Sequence, residues 1–477
     1  MLFLTFLLFL PLSFLIILRR WSTNNENVDV VSKLSRRRLP PGPWKLPIIG
    51  NLHQLALHPL PHVRLRDLAL KHGPLMHLQL GEASTVVVSS PEVARRLRKI
   101  FALELLSSSR VHSFRSIREE EAAQAVAGLA RAAAAARSAP VNLSRLVYEW
   151  TSSVTARAAF GGKTGEDQAE FFTIADEILR EAAGFSLADV FPSRRWLHRI
   201  CGIEATLVDI RRRLDRVLDN IISDHRAKRT RGSDDDDGCS TGTAKDLIDV
   251  LLKLQEDGQL DFPLGDDSLK AVIMTETSST TVEWAMSELL RDEKTLKKAQ
   301  SEVRRVFGST GIVEEARLGE LKYLKLVLKE VLRLRPTAPL LLPRQNSERC
   351  EIDGYDVPAN TRVLINVWAM GRDPKYWVQP DEFIPERFLD SSLDYKGTNY
   401  EFIPFGAGRR MCPGMAFGMA NVELQLANLL YHFDWELPEN EGSFEDLDMS
   451  ETFGVTVKRK HDLCLIPVSY LPCLAPT

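Results

Sequence analysis

The segment Phe405-Gly-Ala-Gly-Arg-Arg-Met-Cys-Pro-Gly414 sets one cysteine among glycines and arginines. Gly406, Gly408 and Gly414 carry no Cβ and let a backbone pass close to a flat ligand. Cys412 stands just before a helical pattern, where the helix dipole lowers a thiol pKa and favours thiolate. Arg410, two residues upstream, can hold a carboxylate through a charge-assisted bond. A thiolate, close-approach glycines and a carboxylate-binding arginine are what a protein-bound haem requires. A buried structural cysteine explains Cys412 alone, but not the whole pattern FxxGxRxCxG.

A second pair with chemical potential is Glu330-Val-Leu-Arg333, whose i, i+3 spacing puts both side chains on one helix face. On an exposed face such a pair is worth under about 1 kcal/mol.

The elements that must carry these groups follow from periodicity and punctuation. A helix from about Met415 to Phe433 follows the cysteine loop. Residues 294–307 and 318–334 read as amphipathic helices, and Ser268 caps another that runs to about Arg291. Residues 116–137 are rich in alanine and favour helix. Leu75–Leu80 and Thr85–Val88 flank Gly81-Glu-Ala-Ser84 as a hairpin, and Ile352–Val367 reads as short strands and turns. Residues 229–243 read as a solvated loop. The expected fold class is mainly α with small β-sheets (α+β).

The length of 477 residues would allow about three domains, yet no break divides the body, so residues 52–477 are expected to form one domain. With 61 basic against 64 acidic residues, no overall positive charge is available to hold nucleic acid. Six scattered cysteines without a CxxC pair exclude a disulfide scaffold and a zinc-finger spacing. Met1–Leu18 is apolar apart from Thr5, Pro11 and Ser13, and ends at Arg19-Arg20. As a helix it would be about 27 Å long, near the hydrocarbon thickness of a bilayer. A cleaved signal peptide would carry its positive charge before the apolar run, so residues 1–18 are expected to be an uncleaved anchor with a cytosolic body. Residues 19–51 form a linker with the basic run Arg36-Arg37-Arg38 and a stiff, extended Pro-rich hinge from Leu39 to Gly50.

The cysteine loop, the ExxR at Glu330–Arg333, Pro385-Glu-Arg-Phe388 and the Pro-Pro-Gly-Pro hinge occur in an order that resembles the cytochrome P-450 family. Together with SFRSIREEE and TTVEWAMSELL they resemble its plant family-71 microsomal group. The resemblance implies that Cys412 ligates the iron of haem b, with Phe405, Gly408, Arg410 and Gly414 lining the cofactor. It implies that Arg344 binds a propionate, as could Arg98, and that Arg387 joins Glu330 and Arg333 behind the haem. It implies electrons from an NADPH-dependent reductase on the endoplasmic reticulum membrane, since this chain carries no GxGxxG of its own. The expected reaction puts one oxygen atom from O2 into a small hydrophobic plant secondary metabolite.

Two places depart from the family's pattern. Glu276 and Thr277 match its catalytic acid–alcohol pair, but Ile273 and Met274 stand where small residues leave room for oxygen. The chain therefore reads as shortened near 273–276, and again near 91–96, where the tryptophan of WxxxR is Ala94 and only Arg98 survives. These departures raise a second reading, a haem-binding but catalytically impaired truncated member or a mis-predicted gene model. Ala338–Leu342 and Thr452–Thr456, apolar and small, would shape what remains of the substrate pocket.

Overall fold

A strongly amphipathic segment, Lys322–Leu334, organises the centre of the molecule. Leu324, Val327, Leu328, Val331 and Leu332 recur at helical spacing and are all buried. Each such side chain is worth roughly 1.5–3 kcal/mol relative to exposure, far above the few tenths that helix propensity contributes. The computed structural model describes residues 39–47, 49–56, 58–81, 83–89, 112–135, 140–161, 166–181, 203–232, 276–408, 411–412, 414–438 and 442–470.

The principal helices are α1 (Pro61–His72), α2 (Arg115–Ala135), α3 (Leu143–Phe160), α4 (Glu166–Glu181), α5 (Ile203–Gly232), α6 (Glu276–Arg291), α7 (Glu293–Phe307), α8 (Lys322–Leu334) and α9 (Met415–His432). Caps fix several ends. The Asn142 side chain accepts from Arg145 N at the start of α3, and Gly161 takes φ 69° at its end. Asp292 accepts from Thr295 N ahead of α7. Helices α2, α3, α6, α7, α8 and α9 bury their apolar faces in one main core, while α4 and α5 pack a smaller one against the end of α3.

The sheets are small. Strands β1 (Leu75–Leu80) and β2 (Ala83–Val88) form the expected hairpin, closed at Leu80↔Ala83. Strand β3 (Val141–Asn142) precedes α3, and β4 (Arg344–Gln345), β5 (Cys350–Ile352), β6 (Tyr355–Val357) and β7 (Arg362–Ile365) follow α8. The main sheet has the order β1-β2-β7-β4, with β2 and β7 parallel. Near the C-terminus lie β8 (Phe433–Glu436), β9 (Glu451–Thr452), β10 (Lys458–Arg459) and β11 (Cys464–Ser469). The fold is mainly helical with small sheets in a single domain, as the sequence reading expects.

The Pro-rich hinge is docked onto β1: His77 N donates to Pro41 O at 2.9 Å, and Asn51 reaches back to the carbonyls of Pro43 and Trp44. Residues 229–232 belong to the last turn of α5, whereas the sequence reading begins a loop there; the rest of that loop lies outside the described residues. Outside them too lie the anchor at 1–18, the linker up to Arg38, Arg98 with both shortened stretches up to residue 275, and the start of the helix capped by Ser268. Among the described residues no helix is long and apolar enough to cross a membrane.

Candidate active site

Cys412 opens into the first turn of α9, whose N-cap is Gly414. Its backbone is pinned from behind, with Cys412 N donating to Phe405 O at 2.9 Å and Met411 N to Gly408 O at 3.1 Å. Gly406 and Gly408 take φ 73° and 76°, a left-handed conformation that a side chain would strain. The thiol is exposed on one side, while the atoms packed on its other sides desolvate it. Burial pushes its pKa above the ordinary value, and hydrogen bonds from Gly414 and Met415 N–H work against that rise. The sequence reading expects a net lowering from the helix terminus; the terminus does lower it, but desolvation outweighs it. A metal cation at the sulfur would reverse the balance, because coordination deprotonates a thiol. An accessible sulfur, two backbone donors aimed at it and a glycine-lined approach would suit a thiolate holding the metal of a flat macrocycle.

Behind the loop stands the charge cluster. Arg333 donates Nε to Glu330 Oε2 and Nη2 to Glu330 Oε1, both at 2.7 Å, with both side chains fully buried. Arg387 Nε donates to the same Oε1 at 2.9 Å, and Ile384 N at 2.8 Å. Arg333 also donates to the carbonyls of Gly371, Pro380 and Glu382. Glu330, Arg333 and Arg387 thus form one saturated network, unlike the exposed pair that spacing alone would allow.

The sequence gives no sign of what joins this cluster to the cysteine loop. Arg333 Cζ lies 5.2 Å from the Trp377 ring, and Trp377 meets Phe388 and Phe402 edge-on at 5.7 and 6.2 Å. Tyr395 continues the column from Phe402 (6.4 Å) to Phe405 (5.4 Å), whose carbonyl holds Cys412 N. Gly397, at φ 74°, presses on the loop: a Cβ there would lie 3.2 Å from Met411 Sδ and 3.3 Å from Gly406 O. Arg118 is likewise missed in role; fully buried, it pairs with Glu315 and lies 5.8 Å from the Phe417 ring in the first turn of α9.

On the other side, α6 begins at Glu276, whose side chain lies outside the described ones; Thr277 is exposed and its carbonyl accepts from Thr281 Oγ1 at 2.8 Å. Ser278 Oγ lies 3.2 Å from where a Cβ on Gly418 would stand, so this helix start abuts the turn of α9 that follows Cys412. Half-buried Arg344 pairs in register with Val363 of β7, three residues beyond Leu341, whose Cδ1 is 3.7 Å from the Cβ position of Gly406. Arg98 and Arg410 lie outside the described residues.

A family model described as cytochrome P-450 matches residues 40–99 and 93–465. Desmethyl-deoxy-podophyllotoxin synthase of Sinopodophyllum hexandrum is 49% identical over 475 residues, covering 90% of this chain and 92% of that protein. Tabersonine 16-hydroxylase 2 of Catharanthus roseus is 44% identical over 485 residues (91% and 93%), and premnaspirodiene oxygenase of Hyoscyamus muticus 44% over 511 (98% of each). Coverage this extensive favours the enzyme reading over the impaired or mis-predicted product.

Proposed function

The chain belongs to the cytochrome P-450 family of haem b monooxygenases, and from that premise we propose that it inserts one oxygen atom of O2 into a small hydrophobic plant secondary metabolite. Bound haem supplies an iron whose thiolate ligand favours O–O cleavage. Cys412 provides that thiolate, and the Gly414 and Met415 N–H groups hold its charge in place. Phe405 braces the loop, and Gly406, Gly408 and Gly414 leave room for the macrocycle. Arg410 and Arg344, with Arg98, are the cations for the propionates. Glu276 and Thr277 hold and pass the protons that oxygen reduction consumes, from the start of α6. Two electrons come from an NADPH-dependent reductase on the endoplasmic reticulum membrane, to which residues 1–18 anchor a body facing the cytosol.

The observation that carries this reading is the accessible Cys412 sulfur with two backbone donors behind it. The test is expression followed by a reduced, carbon-monoxide-bound difference spectrum. A thiolate-type Soret band that vanishes in Cys412→Ser is the expected result, and absence of haem from the wild type overturns the reading. Turnover is then measured as NADPH-dependent product formation with a reductase and a panel of terpenoids, phenolics and indole alkaloids.

A further inference from the structure

Arg335, the residue that ends α8, joins two buried carboxylates from distant parts of the chain. Its Nε donates to Glu288 of α6 and its Nη1 to Glu451 of β9, both at 2.7 Å. The side chains are 14%, 3% and 8% exposed for Arg335, Glu288 and Glu451, so water screens them weakly. Arg335 Cζ also lies 4.6 Å from the Trp284 ring, and Trp284 Nε1 donates to Val457 O at 3.1 Å. Other cationic or titratable groups face the clasp: Arg291 stands 3.7 Å from Glu288 and His62 3.5 Å from Glu451, and Arg372 and Arg459 act on it from farther off.

What the clasp holds is an apolar lip beside the cysteine loop. Val457 N donates to Thr337 O at 2.8 Å, and Phe453 packs in the same cluster as Leu340. The next residue, Leu341, takes φ 50°, a strained conformation for a leucine, and reaches within 3.7 Å of the Cβ position of Gly406. Leu342 beside it is 59% exposed. The segments 337–342 and 453–457 are therefore joined to each other, and they are tied to α6 by Trp284, through Val457 O, and by the Arg335 clasp.

We propose that Glu451, acting through Arg335 and Glu288, is a positioning residue that sets the distance between this lip and α6, and so selects which hydrophobic substrates fit. The proposal rests on the monooxygenase reading. It assigns Glu451 no contact with the substrate; its effect is geometric, and displacement of about 1 Å in such a site is enough to alter turnover strongly.

The test uses the haem-loaded full chain and the azoles imidazole and 4-phenylimidazole, one small and one bulky, titrated by difference spectroscopy. In Glu451→Gln and Arg335→Lys the ratio of the two dissociation constants is expected to change by about fivefold or more. Haem content and the thiolate-type band should stay near wild type, and Glu451→Asp should recover part of the ratio. A ratio within about twofold of wild type in loaded Glu451→Gln overturns the proposal. If that variant loses haem, Arg335→Lys decides in the same way, an unchanged ratio again overturning it. Failure of the wild type itself to show a thiolate-type band would instead sink the underlying function.

Discussion

Arg333 forks onto both oxygens of Glu330, at 2.7 Å each, with no exposed surface on either side chain. Removing one partner of a buried pair leaves the other charge uncompensated and costs about 3–5 kcal/mol. Arg387 also binds Glu330, but its three Nη bonds, to the carbonyls of Val378, Gln379 and Glu382, lie at the surface, where water can replace them. Lysine cannot reproduce the Arg333 fork, whereas Arg387 reaches Glu330 through Nε alone. Urea unfolding of the haem-loaded chain should therefore show a larger loss for Arg333→Lys than for Arg387→Lys. The reverse order would contradict the division of roles.

Gly397 and Gly354 separate crowding from backbone strain. Both have positive φ, 74° and 76°, so alanine at either costs about 1–2 kcal/mol from conformation alone. A Cβ at Gly354 meets nothing within 4 Å, whereas at Gly397 it presses on Met411, Ala407 and Gly406 of the cysteine loop. Gly354→Ala should lower the thermal midpoint while leaving the carbon-monoxide spectrum thiolate-like. Gly397→Ala should lower the midpoint further and convert part of that spectrum to a non-thiolate form. Equal spectra in the two variants would show that Gly397 does not support the loop.

The contrast between these residues shows what the sequence could convey. The cysteine loop, ExxR and PERF are local patterns, and α8 and α9 follow from apolar spacing, so their existence and C-terminal ends are legible, although α8 starts at Lys322 rather than at the expected 318, where a separate 3-10 turn lies. The column Trp377–Phe402–Tyr395–Phe405 and the Arg335 clasp join residues far apart along the chain, and no periodicity encodes such contacts. Gly397 sits in Lys396-Gly-Thr398, which reads as an ordinary turn until the backbone it touches is known. Cys412 shows the other limit: the helix terminus is visible in sequence, but the desolvation that opposes it depends on packing.

Asn51 ties the hinge to the main sheet. Its Nδ2 donates to the carbonyls of Pro43 (3.2 Å) and Trp44 (3.0 Å), its Oδ1 accepts from Gln79 N at 2.8 Å, and it is 2% exposed. Gly42 and Gly50 allow this docking, since a Cβ on either would collide with the carbonyl of His77 or Gln79. Asn51→Ala removes the side-chain partner of Pro43 O and of Gln79 N, both part-buried, at about 1–3 kcal/mol, while Trp44 O keeps its bond from Gln54. Amide exchange at Gly50, His77 and Gln79 should rise about tenfold or more, while amides of α8 change little. Uniform acceleration would instead mean that the whole domain had been destabilised.

Glu283 gives the pH prediction. It lies in α6 at the wall of an open cleft of about 190 Å³, with Ser144, Tyr148, Thr280, Lys458 and Asp462 around it. Burial raises its pKa from 4.5 to about 7; the Ser144 hydroxyl bond and the Arg459 charge act against that rise, and Asp462 adds to it. Because the folded value is the higher one, the folded chain holds a proton here that the unfolded chain releases. The resulting stability is fully present below about pH 4.5, is lost as pH rises toward 7, and then stays level. The full change is at most about 3 kcal/mol. Glu283→Gln cannot ionise, so urea unfolding from pH 5 to 7.5 should show the wild type losing stability relative to the variant across this window. Parallel curves for the two proteins would mean that Glu283 is ionised throughout and that the cleft solvates it.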